Sequence, residues 1–404
     1  MTEGNVYIED GVITEIGNTS RRDDLVVDAG GGIVMPGLIN THTHVAMTEF
    51  RGIVDDMNLE GFIDRTFKLD RNRQNESIQL STELSLAEMI LSGTTSFFDL
   101  YYSEDVIASV CEKMRMRSFL SWVTLDSDKT TQKGEPLSNA ENFIKRYRGK
   151  PLIVPSVGLQ GVYVCSRETC EGAAEIASKY SCTLHMHLSE TRTEVYNHER
   201  DHGMRPVEWL SSFPFFRENR VVAAHGAWLT KNEMNILKRF SVSVAHCARS
   251  NMKLGSGIAP VLELMEGGVN VGIGTDSATT SNNLDMFEEM RASSYLQKVA
   301  KWDSAVLDAS TVLDMATING ARALGAGDII GSIEQGKRAD IIVLDRKSVR
   351  ILPLTSSNAI TNAAYSAQGG DVACTIVDGR PLLLNRQFTK ELRDVKVIRD
   401  LQDI

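Results

Sequence analysis

The stretch PGLINTHTH, from Pro36 to His44, ends in two histidines that are separated by one residue. The apolar run before them predicts a short buried strand, in which residues i and i+2 point to the same face. His42 and His44 would then converge on one point, and such a pair suits a divalent metal ion. The motif alone is weak evidence, because two polar residues in a loop after a strand give the same pattern. The rest of the chain has to decide between these interpretations.

Size and composition limit the classes of protein that the chain can belong to. Its 404 residues, 42% hydrophobic and 24% charged, fit a barrel of about 250 residues plus a second unit. No apolar run reaches the length of a membrane span, and the N-terminus lacks the features of a secretory signal. The formal net charge of −10 argues against nucleic acid as the main partner. Six cysteines without a C-x-x-C pair argue against a disulfide framework. We therefore expect a cytoplasmic protein.

Apolar runs of strand type alternate with helical patterns between Gly37 and Asp276. This alternation predicts parallel strands with right-handed crossovers, and eight such units are the number in a closed (β/α)₈ barrel. A doubly wound open sheet is the alternative, but no G-x-G-x-x-G follows the first strand. The eight predicted strands are 37–44, 96–101, 117–123, 152–159, 182–188, 220–226, 241–247 and 270–276.

The two ends of the chain have a different pattern. NVYIEDGVITEIG and DDLVVDAGGGIVM near the N-terminus predict short strands joined by Asp-Gly and Gly-rich turns. GSIEQGKRADIIVLD and ACTIVDGRPLLLNRQF near the C-terminus predict the same. We expect one small β-sandwich built from residues 1–35 and 327–404, and a barrel over 36–326. The helix-rich segment 303–325 would return the chain from the barrel to the sandwich.

Most of the histidines fall at the C-terminal ends of the predicted strands, which form the active-site face of this fold. Six of the eight lie there, and Asp276 ends the last strand; the six are His42, His44, His185, His187, His225 and His246. This concentration favours a metal site. Imidazole and carboxylate ligands suit zinc or a similar first-row ion, with one position left for water.

The ligands expected from the residues are His42, His44, one strand-five histidine and Asp276. Whether His185 or His187 is the third histidine stays open, since His185 could be a packed interior residue. A two-metal site commonly needs a bridging group after strand four, where VGLQGVYV has no lysine, so we expect one metal. Glu190 follows the strand-five pair and is the candidate general acid or base. Its alternative role is that of a glutamate that starts the next helix.

Together these residues resemble the amidohydrolase superfamily, in particular its cytosine-deaminase-like branch. That branch includes S-adenosylhomocysteine and methylthioadenosine deaminases, guanine deaminase and s-triazine chlorohydrolases. The resemblance covers about residues 36–345 and rests on order and spacing as well as on the motifs themselves. The motifs are PGLINTHTH, GTTSFFDLY, HMHLSET, VAAHGAWL, SNMKLGSGIAPV, GIGTDSATTSNNLDMFEEMR and GSIEQGKRADIIVLD.

The resemblance implies a role for each matching position. It implies a mononuclear divalent metal, Zn²⁺ or else Fe²⁺, Ni²⁺ or Mn²⁺, with the ligands His42, His44, His187 and Asp276. Glu190 matches the proton-shuttling glutamate, and His225 matches the histidine that orients or polarises the attacking water. Asp276 would also take a proton from that water. The implied reaction is hydrolytic deamination of an aminopurine nucleoside such as a 5′-modified adenosine, with release of ammonia.

Candidate substrate-binding positions separate the chain from some of these relatives. Gln160 stands where adenosine-processing relatives often carry histidine, and Trp122 stands where some carry an arginine for an amino-acid tail. Glu60 resembles a position that can hold ribose hydroxyls, and Thr280 replaces a common serine. Arg249 stands where relatives usually show a neutral residue, so it could point into the pocket or away from it.

Two other functions remain open at this point. The same site could hydrolyse a different aminated or halogenated heterocycle, such as a pterin, pyrimidine, guanine or s-triazine. A non-catalytic relative could instead use the barrel for assembly, although such proteins should have lost ligands. Homo-oligomers are implied as a possibility by the resemblance.

Overall fold

The computed structural model describes residues 3–17, 25–57, 59–71, 73–217 and 219–402, without the side chains of residues 59, 60, 63 and 402. The strands in chain order are β1 (Asn5–Glu9), β2 (Val12–Gly17), β3 (Ile33–Pro36), β4 (Leu38–Thr43), β5 (Thr94–Tyr101), β6 (Arg117–Thr124), β7 (Ile153–Leu159), β8 (Leu184–Leu188), β9 (Val221–His225), β10 (Ser243–His246), β11 (Val271–Ile273), β12 (Ile341–Leu344), β13 (Val372–Val377), β14 (Arg380–Leu384) and β15 (Gln387–Phe388).

The α-helices lie mainly between the barrel strands and after them. They are α1 (Leu59–Asp70), α2 (Asn75–Leu91), α3 (Glu104–Met114), α4 (Pro136–Tyr147), α5 (Arg167–Tyr180), α6 (Arg192–His202), α7 (Pro206–Ser211), α8 (Lys231–Arg239), α9 (Ala248–Lys253), α10 (Val261–Glu266), α11 (Met286–Lys301), α12 (Ala309–Met315), α13 (Ile318–Ala323), α14 (Ala359–Thr361) and α15 (Lys396–Gln402). Within the described ranges, none of the helices has both the length and the apolar character that crossing a membrane requires.

Strands β4 to β11 form one parallel sheet in which each strand pairs with the next one along the chain. A parallel bridge between Thr43 and Asp276 joins the first strand to the end of the last, and the Asp276 N–H donates to the His42 carbonyl at 3.0 Å. Sequential order with a closing bridge excludes the doubly wound alternative. The predicted (β/α)₈ barrel is confirmed, and all eight predicted strands are present.

Helices pack on the outside of the barrel for reasons that are visible locally. In α5 the buried residues recur every three or four positions, as an amphipathic helix requires. Ser166 caps this helix by accepting a hydrogen bond from the Thr169 N–H. An N-cap of this kind stabilises a helix by about 1 kcal/mol because it satisfies a free backbone donor. The apolar spacing in RETCEGAAEIASKY, residues 167–180, indicates a helix over the same residues.

The N-terminal end of the barrel is closed by the helices that follow it. The Ile39 N–H donates to the Ala316 carbonyl at 2.8 Å, and a Cβ on Gly320 would lie only 3.1 Å from Ile39. Interior side chains of β4, β5 and β9 form one buried cluster with residues of α13 and the loop after it. The segment 303–325 therefore covers the N-terminal end of the barrel and also leads to the sandwich. The C-terminal end of the barrel remains available for the site.

A small antiparallel sheet contains pieces from both ends of the chain, in the order β15-β14-β13-β12-β3. Strand β3 pairs with β12. Strands β1 and β2 form a separate hairpin, which contacts the residues before β12 through an isolated bridge between Val12 and Arg338. The predicted composite sandwich is thus confirmed as part of the fold class. The boundaries 36–326 for the barrel and 1–35 with 327–404 for the sandwich remain predictions.

One predicted strand is shorter than the sequence indicates. Of DDLVVDAGGGIVM, only Ile33–Met35 is in strand, as part of β3, and residues 25–32 form irregular backbone, with residues 23 and 24 outside the described ranges. Leu25 and Val26 are 59% and 76% exposed. Both side chains therefore lie largely in solvent, and among the described residues no strand pairs with residues 25–29.

Candidate active site

Four side chains from three distant parts of the chain converge at the C-terminal end of the barrel. His42 and His44 come from the end of β4, His187 from β8, and Asp276 from the residues after β11. Asp276 Oδ1 lies 3.2 Å from His44 Nε2 and 3.7 Å from His42 Nε2. His44 Nε2 in turn lies 3.3 Å from His187 Nε2. All four residues are buried.

The hydrogen bonds of two of these imidazoles fix which ring nitrogen carries the proton. His44 Nδ1 lies 2.6 Å from the Leu100 carbonyl oxygen, and His187 Nδ1 lies 2.7 Å from that of Gln160. A carbonyl oxygen only accepts, so both Nδ1 atoms must donate and the neutral rings present lone pairs at Nε2. Two lone pairs 3.3 Å apart repel each other unless a cation lies between them. This arrangement fits a bound metal ion.

His42 is the fourth candidate ligand, and its ring is held by its neighbour His185. The Nδ1 of His42 lies 2.9 Å from the Nε2 of His185, which stacks on Phe98 with ring centroids 3.9 Å apart. His42 Nε2 is buried and has no hydrogen-bond partner among the described residues, so it is free to bind a metal. His185 is therefore the packed, hydrogen-bonded interior residue of the two alternatives. It orients His42, in the way that supporting residues of metal sites orient a ligand.

Burial sets the charge states of the site. Burial, with the nearby His44 and His225, lowers the pKa of His187 to about 3, so this ring is neutral at physiological pH, as a ligand must be. Burial also opposes ionisation of Asp276, but hydrogen bonding and charge from His44 outweigh it and hold the pKa of Asp276 below its ordinary value. Burial opposes a charge on His44, but its hydrogen bond and charge interaction with Asp276 raise its pKa, so a metal ion bound here would replace a proton of His44. Imidazole nitrogens beside a carboxylate match the donor set that zinc prefers.

Glu190 follows β8 and faces the same space. Its Oε1 accepts a hydrogen bond from the Ser256 hydroxyl at 3.2 Å, and its Oε2 lies 3.9 Å from His225 Nε2. Burial raises the pKa of Glu190, which favours a group that can carry a proton. Glu194 accepts hydrogen bonds from three successive backbone N–H groups, those of Ser189, Glu190 and Thr191. The glutamate at the start of α6 is Glu194, so the alternative role considered for Glu190 is wrong, and Glu190 remains the candidate general acid or base.

The backbone is left-handed at two of the predicted catalytic residues. His225 has φ +72° and Asp276 has φ +56°. Each such conformation costs a non-glycine residue about 1–3 kcal/mol and concentrates at functional sites. The side chains are then held by two neighbours in α9: Asn251 Oδ1 lies 2.9 Å from His225 Nδ1, and the Ser250 hydroxyl donates to Asp276 Oδ2 at 2.6 Å.

Sequence reasoning did not assign roles to Ser250 and Asn251. Both lie in the motif SNMKLGSGIAPV, which is one of the motifs that carry the family resemblance. The motif does not show, however, which side chains these two residues contact. Tyr163 was also missed. Its hydroxyl accepts a hydrogen bond from Gln160 Nε2 at 3.0 Å, so that Gln160 contacts a neighbour three residues along the chain. Finding such partners requires the distances between loops.

The remaining predicted residues occupy different surroundings. Trp122 packs against Phe143 and donates from Nε1 to Gln132 at 2.9 Å. Thr280 is buried in a tight turn and donates from its hydroxyl to the Ser277 carbonyl at 3.0 Å. The side chain of Glu60 lies outside the described residues. The substrate contacts of all four candidates, Gln160 included, remain predictions.

Arg249 is directed towards the loop after β11 and the start of α11. Its guanidinium donates to the Ser281 carbonyl and to Asn283, and it pairs with Glu288 at 2.9 Å. Arg249 thus ties the post-β11 loop to α9.

Comparisons with known proteins identify the family. Residues 33–382 match the model of the amidohydrolase family. The chain belongs to this family. A 5′-deoxyadenosine deaminase of Methanothermobacter thermautotrophicus is 40% identical over 100% of this chain and 94% of its own length. A 5-methylthioadenosine/S-adenosylhomocysteine deaminase of Thermodesulfovibrio yellowstonii is 37% identical over 97% of this chain and 91% of its own.

Solved structures agree with these sequence relatives. An adenosine deaminase from Xanthomonas campestris with bound zinc has a TM-score of 0.89 and 30% identity, covering 99% of this chain and 94% of its own. An atrazine chlorohydrolase from Arthrobacter aurescens has a TM-score of 0.86 at 21% identity, covering 100% and 95%, which shows the fold alone. The comparisons confirm the predicted resemblance and the assignment to hydrolases of carbon–nitrogen bonds, and the relatives' names agree with the predicted aminohydrolase function. The amidohydrolase family is metal-dependent, which confirms the coarser part of the cofactor prediction.

Proposed function

We propose that the protein is a metal-dependent aminohydrolase that converts a 5′-modified adenosine to the corresponding 6-oxopurine nucleoside and ammonia. The observation that carries the proposal is the buried convergence of His44 Nε2, His187 Nε2 and Asp276 Oδ1, with Glu190 beside it. Relatives named as deaminases of 5′-deoxyadenosine and methylthioadenosine supply the substrate class.

The proposed cofactor is a single divalent ion, Zn²⁺ in the first instance. Nitrogen and oxygen donors of this kind suit zinc, and the structural relative with bound zinc supports the choice. Its proposed ligands are His42, His44, His187 and Asp276. When bound, the ion acts as a Lewis acid that lowers the pKa of water at the site towards about 7.

The chain's own residues would carry the protons. A carboxylate oxygen of Asp276 takes one proton from the attacking water, while His225 Nε2 orients its oxygen. Glu190 gives a proton to the ring nitrogen next to C6, so that the ring accepts the electron pair displaced by attack. Asp276 then gives the proton it took from water to the amino group, and the proton of the new C6 hydroxyl returns to Glu190, so that the tetrahedral centre collapses to the carbonyl with loss of ammonia. A positioned acid or base typically contributes about 10²–10⁴-fold to the rate.

The side chains predicted near the 5′ end favour an uncharged tail. Trp122 and Gln160 are both neutral, and each is hydrogen-bonded to a neutral partner, Gln132 and Tyr163 respectively. Neither offers the fixed cation that binds a carboxylate strongly. The proposed substrates are therefore 5′-deoxyadenosine and methylthioadenosine ahead of S-adenosylhomocysteine, whose amino-acid tail would lose such a partner.

The test is ammonia release from a panel of aminated heterocycles by the metal-loaded enzyme. The panel contains 5′-deoxyadenosine, methylthioadenosine, adenosine, S-adenosylhomocysteine, guanine, a pterin and an aminated s-triazine. We expect the highest kcat/KM for the first two. Turnover of guanine, the pterin or the s-triazine without turnover of the adenosines would instead support the alternative heterocycle hydrolase. If S-adenosylhomocysteine is deaminated with the same kcat/KM as 5′-deoxyadenosine and methylthioadenosine, the proposed preference for an uncharged 5′ tail is wrong.

The metal ligands are tested by His187→Ala, measured as metal bound per chain after dialysis. We expect loss of the metal, because one of the converging nitrogens is removed. His198→Ala is the matched control: His198 is also buried, but its Nδ1 lies 2.9 Å from the Met204 carbonyl, away from the ligand set. Full metal content in His187→Ala would contradict the ligand assignment. The cytoplasmic location and a homo-oligomeric state remain predictions.

A further inference from the structure

Helix α9 links the residues of the site to one another. Its six residues follow β10 directly, and consecutive side chains on it reach different catalytic groups. Ser250 contacts Asp276 and Asn251 contacts His225. The helix is itself anchored to the post-β11 loop, because Arg249 donates to the Ser281 carbonyl and Lys253 to Asn282. Movement of α9 would therefore displace both catalytic side chains together.

The contact between Asn251 and His225 decides which nitrogen of His225 faces the site. With Asn251 Oδ1 2.9 Å from His225 Nδ1, the ring donates from Nδ1 and leaves its lone pair at Nε2. Nε2 is the atom on the side of Glu190, at 3.9 Å from its Oε2. A lone pair at that position can accept a hydrogen bond from the attacking water. The other tautomer could only donate there.

Because Ser250 contacts Asp276, the two carboxylate oxygens of Asp276 have different partners. The Ser250 hydroxyl donates to Oδ2, whereas Oδ1 faces His44 and His42 and accepts a hydrogen bond from the Ser277 N–H at 2.8 Å. Both Ser250 and Asn251 are fully buried, so water does not compete for these hydrogen bonds. Since Asp276 has a strained backbone, its side-chain direction depends on such support.

We infer that Ser250 and Asn251 are positioning residues: Asn251 holds His225 with its lone pair at Nε2, and Ser250 directs Oδ1 of Asp276 towards the metal ligands. This inference rests on the proposed function for the meaning of the two catalytic groups. It assigns no contact with substrate to either residue.

The first test compares Asn251→Asp with Asn251→Leu. A carboxylate can only accept, so Asn251→Asp preserves the Nδ1–H tautomer, and we expect kcat within about tenfold of the original enzyme. Leucine leaves Nδ1 without a partner, and we expect kcat to fall by about 10²-fold or more with KM little changed. The tautomer is read directly from ¹⁵N shifts of the His225 ring in histidine-labelled protein, identified by its loss in His225→Gln.

Asn219→Leu is the control for a purely structural effect. Asn219 is also buried and donates to the Phe215 carbonyl at 2.9 Å, but it lies before β9, away from the site. We expect it to lower the thermal midpoint without changing kcat or the His225 spectrum. If Asn251→Asp loses as much activity as we expect of Asn251→Leu, Asn251 acts as a donor and the inference is wrong. The activity of Asn251→Asp therefore tests the inference even if Asn251→Leu fails to fold.

The second test uses Ser250→Ala and measures metal affinity by competition with a chelator. We expect affinity to fall by about 10–100-fold, as for other residues that orient metal ligands. Ser293→Ala is the matched control, because Ser293 is a buried serine whose hydroxyl has no hydrogen-bond partner among the described residues. Unchanged affinity in Ser250→Ala would overturn the role of Ser250.

The two proposals fail in different ways. If the original enzyme releases ammonia from none of the adenosines, the proposed function is wrong, while the ¹⁵N spectrum and the chelator competition still measure what α9 positions. If the original enzyme is active but neither measurement changes in the variants, only the inference about α9 is wrong.

Discussion

At the scale of single residues, the site depends on acceptors that are buried without enough donors. His44 and His187 donate from Nδ1 to backbone carbonyls, and their Nε2 atoms face each other and Asp276. Such a group of acceptors is unfavourable in an apolar interior unless a cation neutralises it. Binding of the proposed metal ion would therefore stabilise the protein at this point and would contribute to its folding.

Glu190→Gln is the residue-scale prediction. The variant keeps the size of the side chain and a partner for Ser256, but it removes the proton that Glu190 carries. Because Glu190 is outside the proposed ligand set, we expect metal content to be unchanged while kcat falls by about 10²–10⁴-fold. Steady-state rates of ammonia release and metal analysis of the same preparation check this. An active Glu190→Gln enzyme would show that another group transfers the proton.

At the scale of elements, helices end where the backbone can turn out of the helical conformation. Three helices end at residues other than glycine in the left-handed region: Arg115 with φ +56°, Ser181 with φ +51° and Trp302 with φ +56°. Glycine is the usual residue there because it has no Cβ to clash. Trp302 is also 96% exposed, so its side chain packs against very little.

Trp302→Gly is therefore expected to stabilise the protein. Relief of the left-handed strain outweighs the added freedom of glycine in the unfolded chain, for a net gain of about 0.5–1 kcal/mol. The matched variant is Trp302→Ala, which removes the same exposed ring but keeps Cβ and should change stability little. Urea unfolding of the three proteins measures the difference. A gain of the same size in both variants would mean that loss of the tryptophan, and not the backbone, is responsible.

The elements also show how far sequence reasoning reaches. The range of α5 and the eight barrel strands follow from local signals: periodic apolar residues, a serine cap and buried runs. The histidines could be placed because strand ends share one face of a barrel. The contacts of Ser250 and Asn251 could not, since they join residues 26 positions apart across two loops. Residues 25–29 were predicted as strand and are irregular, because an apolar run does not reveal whether a partner strand exists, whereas the predicted Gly-rich turn is present at Gly30 and Gly31.

At the scale of the whole molecule, a buried ionic network joins the barrel to the composite sheet. Arg117, the first residue of β6, pairs with Asp340 at 2.7 Å and with Asp378 at 2.9 Å. The Asp340 side chain is 2% exposed and also accepts a hydrogen bond from the Asp378 backbone N–H at 2.8 Å. These contacts fix the start of a barrel strand against the turn that connects β13 and β14.

Arg117→Met tests whether the two units depend on each other. Removing the guanidinium leaves Asp340 as an uncompensated buried charge, which typically costs about 3–5 kcal/mol. We expect a large fall in the thermal midpoint, whereas kcat at low temperature should persist because the site lies at the opposite end of the barrel strands.

Lys68→Met is the matched control: its pair with Asp64 is exposed, with side chains 68% and 62% accessible, and such pairs contribute about 0–1 kcal/mol. The double variant Arg117→Met with Asp340→Leu removes the isolated charge and should recover part of the loss. If Arg117→Met instead unfolds at the midpoint of the original protein, the network does not hold the sheet against the barrel, and apolar contacts between the units must do so.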